Sequence, residues 1–249
     1  MSELKSHSSV QLVASLPDGH GVEVRDRNLA YPGKRISREW AVCGLLVLAG
    51  LLALAVDVPL SRTMVQGNAF KSLHGLLESI EPFGRPPAVI AVSLAVLLCG
   101  GIRRGAGFRI AAGALLSGLA VDLLKLCVGR IRPRHFDFLG NVFDTFSGVL
   151  QGSGPGSAMQ SWPSGHTGTA VGFCLALSAI FPEARWLFRI LAALVALQRI
   201  ESGAHYLSDT LFAASVAVVI HIVVFGSGPV GRAFGRIESR WAARSSLNS

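Results

Sequence analysis

Charge is scarce in this chain. Only 15% of its 249 residues are Asp, Glu, Lys or Arg, while 51% are hydrophobic, a balance too poor in charge for an ordinary soluble globular protein. Cysteine is scarce as well. Cys43, Cys99, Cys127 and Cys174 lie within or at the ends of apolar blocks without C-x-x-C spacing, which supports neither a disulfide framework nor a zinc site. They are expected to pack as small hydrophobes. No carboxylates cluster and no H-E-x-x-H pattern occurs, so nothing points to magnesium or to a zinc hydrolase. The polar N-terminal stretch, residues 1–38, has no early apolar core that a signal peptidase would recognise. The formal net charge of +8 does not form the basic stripe of a nucleic-acid binder; an anionic lipid surface is the better partner. No internal repeat is visible, which argues against a transporter.

What is present is a series of apolar blocks long enough to approach a bilayer crossing, which needs ~20 residues per helix. Six spans are expected, at about 40–60, 86–102, 108–129, 165–181, 186–202 and 206–225, the first acting as an uncleaved anchor. Trp40, Trp162 and Trp186 fall at span ends, where aromatic belts form. Residues 69–80 (AFKSLHGLLESI) have apolar positions at helical spacing and read as a helix in the interface plane. The fold class is thus all-α: a polytopic bundle of six transmembrane helices with an interfacial helix between spans one and two. An N-terminal tail (1–38) and a basic C-terminal tail (227–249) flank the domain at 39–226. With both termini inside, fifteen of the twenty-three lysines and arginines fall on the inner side, as the positive-inside rule requires. Five of the other eight, Lys125, Arg130, Arg132, Arg134 and Arg199, sit in or beside three short polar segments.

Those segments are residues 125–133 (KLCVGRIRP), 163–166 (PSGH) and 199–209 (RIESGAHYLSD). With six alternating spans, all three reach the same outer side. A cation buried in a bilayer costs roughly 2.5–3.5 kcal/mol on insertion scales, so each needs a reason. Lys125 offers a point charge to a phosphate oxygen, or a partner to Asp122 one turn back, while Arg132 and Arg199 offer planar forks. Pro133 is expected to stop the third span. Ser164 and Gly165 open a helix, where a serine caps and free amides favour an anion. His205 and Asp209 are four apart and share one face if both are helical. A carboxylate on one imidazole nitrogen leaves the other free to attack phosphorus. His166 then donates the proton to the leaving oxygen. His7, His20, His74 and His221 read as structural, and His135 as at most peripheral. No metal and no cofactor is expected.

Together these residues resemble the three-part signature of the type 2 phosphatidic acid phosphatase superfamily, K-x6-RP, then PSGH, then SR-x5-H-x3-D. Lys125, Arg132 and Pro133 match the first part, Pro163 to His166 the second, and Arg199, His205 and Asp209 the third. Gln198 stands where that family usually has serine. The resemblance covers residues 85–225 and implies a helical bundle whose outward site cleaves a lipid phosphate through a phosphohistidine. It makes His205 the nucleophile, Asp209 its orienting partner and His166 the general acid. Lys125, Arg132, Ser164, Gly165 and Arg199 would hold the phosphate. Such an enzyme would sit in a bacterial inner membrane, its site facing the periplasm or exterior. A phosphotransferase uses the same residues, and a transporter or silent lipid binder is the reading from another class.

Overall fold

The computed structural model describes residues 33–67, 71–149 and 157–246. Most of the N-terminal tail, the start of the connector at 69–70 and much of the glycine-rich stretch at 150–156 lie outside the described residues. Apolar length builds the helices. α1 (Gly33–Gln66), α4 (Ala106–Lys125) and α7 (Leu207–Phe225) are each long and apolar enough to cross a membrane. α2 (His74–Ile80) and α3 (Pro86–Cys99) form part of a fourth candidate, bent by 61° at its break. α5 (Gly165–Ile180) and α6 (Arg185–Glu201) have 16 and 17 residues, about 24–26 Å at 1.5 Å per residue. That falls short of the ~30 Å hydrocarbon thickness. All six expected spans are helices, but only three or four meet the length and composition of a crossing.

α5, short for a crossing, is well covered. α5 packs against α4, α6 and α7, and its Phe173, Ala176, Leu177 and Ile180 join Val89, Ile110, Val224 and Phe225 in the main core. Small residues set the α4–α5 distance. A Cβ on Gly168 would stand 2.7 Å from Val121 Cγ2, and one on Gly172 would stand 2.7 Å from the Gly113 carbonyl oxygen. Close backbone approach on glycine is how helices associate where hydrocarbon removes the hydrophobic drive. The outer faces tell the complementary story. Leu45, Leu52, Leu98, Leu119, Leu123 and Ile190 are more than half exposed, a belt that suits lipid and would be a liability in water. Trp40 and Trp186 are exposed near helix starts. Cys174 is buried as expected, whereas Cys99 and Cys127 are exposed. His221 is buried against Phe225, with centroids 4.5 Å apart.

Three local features depart from the sequence reading. The third span ends at Lys125, not at 129, and Pro133 is not what stops it. The chain instead turns into β1 (Val128–Arg130), paired antiparallel with β2 (Phe146–Val149) through a bulge at Gly129/Arg130. The 229–246 part of the expected basic tail is a helix, α8 (Pro229–Ser246). Buried Arg109 of α4 fastens it: Nε lies 3.0 Å from Glu238 Oε1, and Nη2 donates to the Gly231 carbonyl at 3.0 Å. Its guanidinium also lies over the Phe225 and Phe234 rings. Arg232, Arg236 and Arg240 remain exposed along the far face of α8.

Candidate active site

The ends of α4 and α6 and the starts of α5 and α7 meet at one end of the bundle, roofed by the segment between α4 and α5. Backbone bonds pin that segment from several directions. Ile131 N–H donates to the Thr145 carbonyl at 2.7 Å, Arg132 N–H to Ala158 at 2.8 Å and Arg134 N–H to Gly203 at 3.0 Å. The Ser161 N–H donates back to the Arg130 carbonyl at 2.9 Å. The third contact needs Gly203, whose φ of +63° few other residues adopt and whose Cβ would meet Val65 at 2.8 Å. Arg132 is thereby held on a fixed backbone.

His205 lies in the turn before α7 and is 2% exposed. Its Nδ1 is 2.6 Å from the Ser161 carbonyl oxygen. A carbonyl only accepts, so Nδ1 carries the hydrogen and Nε2 carries the lone pair. The expected partner takes a different part. Asp209 Oδ2 stands 3.8 Å from Nδ1, because α7 starts only at Leu207 and His205 is outside the helix that four-residue spacing assumes. The Asp209 carboxylate is occupied elsewhere. Oδ2 accepts from Ser161 Oγ at 2.6 Å and from Tyr206 N–H at 2.8 Å, and Oδ1 accepts from Arg130 Nη1. Asp209 therefore orients Ser161, whose carbonyl orients His205.

Arg130 is the residue that sequence reasoning passed over. Its side chain is wholly buried between the Phe146 and Tyr206 rings, at 4.5 and 4.1 Å. Besides Asp209 it donates to Asp57 Oδ2 at 2.8 Å, Ser208 Oγ at 2.8 Å and Thr145 Oγ1 at 3.1 Å. Asp57, fully buried in α1, also accepts from the Ser208 amide at 3.0 Å and from the Ser208 hydroxyl. One guanidinium thus joins α1, β2 and α7 behind His205. Asp57 had left a sign in the sequence, as a lone carboxylate inside an apolar span.

The cations stand on the other side of His205. Arg132 has a buried Nε with no hydrogen-bond partner. Burial, with Arg134 and Arg199 nearby, lowers its pKa to about 10, so it stays charged at neutral pH in surroundings that favour an anion. Arg199 Nε is likewise buried and unbonded. Lys125 Nζ lies 3.2 Å from Asp122 Oδ1. Its charge is felt at His205 along with that of Arg199. Ser164 caps α5, its Oγ accepting from Thr167 N–H at 3.4 Å and Thr167 Oγ1 at 3.0 Å. A Cβ on Gly165 would come within 2.8 Å of Asp122 Oδ1 and 3.1 Å of Lys125 Nζ, so a side chain there would have to displace the ends of both. His166 follows in the first turn. The structure gathers Lys125, Arg132, Ser164, Gly165, His166, Arg199 and His205 into one neighbourhood, and sets Asp209 one residue further back. His135 lines a separate recess with Asp137 and Asp144. One acid joins the cluster unannounced: Glu81, in the single 3₁₀ turn Glu81–Gly84 before α3.

Buried guanidinium nitrogens without partners, a helix N-terminus and an imidazole with a free lone pair are chemistry suited to holding an oxyanion beside a nitrogen nucleophile. The family model described as PAP2 superfamily matches residues 106–229. Two lipid A 1-phosphatases, from Rhizobium johnstonii and Rhizobium etli, are 40% and 39% identical over 98 residues, 39% of this chain. The match spans little more than a third of those relatives, 37% and 39% of their lengths. Undecaprenyl-diphosphatase BcrC of Bacillus subtilis is 29% identical over 174 residues, 66% of this chain and 85% of that protein. No solved structure matches.

Proposed function

Since the chain belongs to the PAP2 superfamily, we propose that it is an integral membrane phosphatase acting on a phosphorylated lipid. It removes a phosphate monoester, or the terminal phosphate of a diphosphate, through a phosphohistidine on His205. The observation that carries this reading is the Nδ1–H bond from His205 to the Ser161 carbonyl. It turns the lone pair of Nε2 to the work of a nucleophile, beside Arg132 and Arg199, whose buried Nε groups have no hydrogen-bond partner. Lys125, Arg132 and Arg199 neutralise the phosphoryl oxygens and oppose the charge that builds on them during transfer. Ser164 and the first amides of α5 complete the cradle, and His166 protonates the leaving oxygen. With three protein cations at the phosphoryl group, the chemistry runs without a metal. The six helices all cross the bilayer in this reading, α5 inside a sheath of its neighbours and α6 by local thinning. Their alternation sets the site on the outer face of an inner membrane.

The test is phosphate release by detergent-solubilised protein in EDTA, over phosphatidic acid, phosphatidylglycerol phosphate, undecaprenyl diphosphate and lipid A. Metal-independent release from any of these supports the reading, and the ranking names the substrate class. Transfer of phosphate to a second lipid without release makes it a phosphotransferase. No turnover of any lipid overturns it.

The pH profile provides a second check. Burial, aided by the charges of Lys125 and Arg199, holds the His205 pKa down at about 4, against 6.5 for an ordinary histidine. Protonation kills the nucleophile, so activity must rise as pH climbs through that value. The rising limb of kcat/KM is expected to be complete by about pH 5. A limb centred between pH 6 and 7 would contradict a buried, neutral nucleophile.

A further inference from the structure

Glu81 is an acid among cations that a phosphate needs. Its Oε1 accepts from Arg199 Nη1 at 2.6 Å and from Arg85 Nη2 at 3.0 Å, and it stands 3.2 Å from His166 Nε2. The side chain is only 16% exposed. A carboxylate there competes with substrate for Arg199, so phosphate binding alone gives no reason for it. His166 gives one. A general acid must hold a proton when the leaving oxygen departs. His166 faces Arg199 from α6, Arg85 at the start of α3 and His205 from the α6–α7 turn, and each positive charge among them disfavours an imidazolium. Lys125 of α4 adds to the same field on the His205 side.

We propose that Glu81 is a positioning residue that exchanges partners during turnover, an inference that rests on the phosphatase reading. In the structure it pairs with Arg199. When phosphate arrives, Arg199 turns its guanidinium to the phosphoryl oxygens, and Glu81 keeps Arg85 and closes on the Nε2–H of His166, which has no hydrogen-bond partner in the structure. The imidazolium so stabilised carries the transferable proton on Nδ1. The lone pair of His205 Nε2 forms the bond to phosphorus as the P–O ester bond breaks. The leaving oxygen keeps that electron pair and takes the proton from His166. His166, now neutral, accepts a proton from the water that attacks the phosphohistidine, and the P–N electrons return to His205. Glu81 touches neither phosphorus nor the leaving group, and acts through His166 and Arg199.

Full-length Glu81→Gln and Glu81→Asp proteins test this. Kinetics from pH 5 to 9 read His166, and stabilisation by inorganic phosphate in a thermal melt reads Arg199 without needing activity. Glu81→Gln is expected to move the falling, basic limb of kcat to lower pH by about one unit, because an adjacent anion supports the protonated form by that order. It is also expected to bind phosphate several-fold more tightly, since Arg199 no longer leaves a carboxylate. Glu81→Asp keeps the charge and should keep the limb within a few tenths of a unit. An active wild type whose limb and phosphate affinity stay fixed in Glu81→Gln overturns the proposal alone. If wild-type protein turns over no lipid, the phosphatase reading fails and this inference with it.

Discussion

Replacing His205 with alanine is expected to abolish phosphate release, lowering kcat by on the order of 10⁴ or more, the scale seen when an enzyme loses its nucleophile. The cradle of Lys125, Arg132 and Arg199 survives the change, so substrate should still bind with a similar affinity. The fold carries a smaller cost. Ser161 loses the Nδ1 donor to its carbonyl, and a buried acceptor left unpaired costs about 1–3 kcal/mol. His205→Asn separates the two effects, because its amide can donate to Ser161 but cannot attack phosphorus. Both variants should be inactive, with the asparagine protein melting closer to wild type. The intermediate can be sought directly. In His166→Ala the attacking water lacks its base, a loss of about 10²–10⁴ in the rate of breakdown, and with a labelled diphosphate lipid, whose leaving group needs little protonation, rapid quenching should trap acid-labile, base-stable phosphate on the chain. Substantial release by His205→Ala would end the phosphohistidine reading, whatever the lipid.

Arg130→Met is expected to cost the protein its stability. The guanidinium is fully buried between two carboxylates, Asp57 and Asp209, with which it forms ion pairs. Its removal strands both in a medium where a lone charge is very expensive. Breaking one buried pair typically costs 3–5 kcal/mol, a large part of the ~5–15 kcal/mol that holds a domain folded. Little folded protein should survive solubilisation, and whatever does should melt well below wild type. Arg130→Lys should fare badly too, since one ammonium cannot bridge both acids and Ser208 at once. Adding Asp57→Asn to Arg130→Met removes one stranded charge and should recover part of the melting temperature. Activity should not return, because Asp209 still lacks its tether. A wild-type melting curve for Arg130→Met would show that the network is incidental.

The contrast between these residues explains what the sequence could disclose. Lys125, Arg132, His166, Arg199 and His205 were legible because chemistry demands their types and the spacings are local. Each spacing is fixed by one helix end or one turn, so the pattern survives on the page. Arg130, Asp57, Ser161 and Glu81 act through partners far off in sequence: Arg130 reaches Asp57 across 73 residues and Asp209 across 79, and Arg199 reaches Glu81 across 118. No periodicity encodes such pairs. The His205–Asp209 pairing is looser than the spacing implied, with 3.8 Å between Nδ1 and Oδ2, because four-residue spacing implies a shared face only inside a helix, and α7 begins between the two. The same limits apply to the fold. Apolar blocks announced the helices, while a three-residue strand such as β1 offers no alternation to read. The arginines of α8 recur every fourth residue, at 232, 236, 240 and 244, a helical spacing that was available and passed for a tail.

The fastening of α8 bears on the order in which this protein is completed. Arg109 is laid down early, yet the Gly231 carbonyl it grips comes 122 residues later, and Glu238 later still. At on the order of 10 residues per second, ribosomes need roughly ten seconds to cover that distance. Through that interval the guanidinium waits near the start of α4 while the polar cluster at the other end of that helix is still being assembled. Among the described helices, α8 follows all the others and packs beside the start of α4. Any chain cut short before Glu238 leaves the ribosome with every residue of the polar cluster made and Arg109 without the carboxylate of α8.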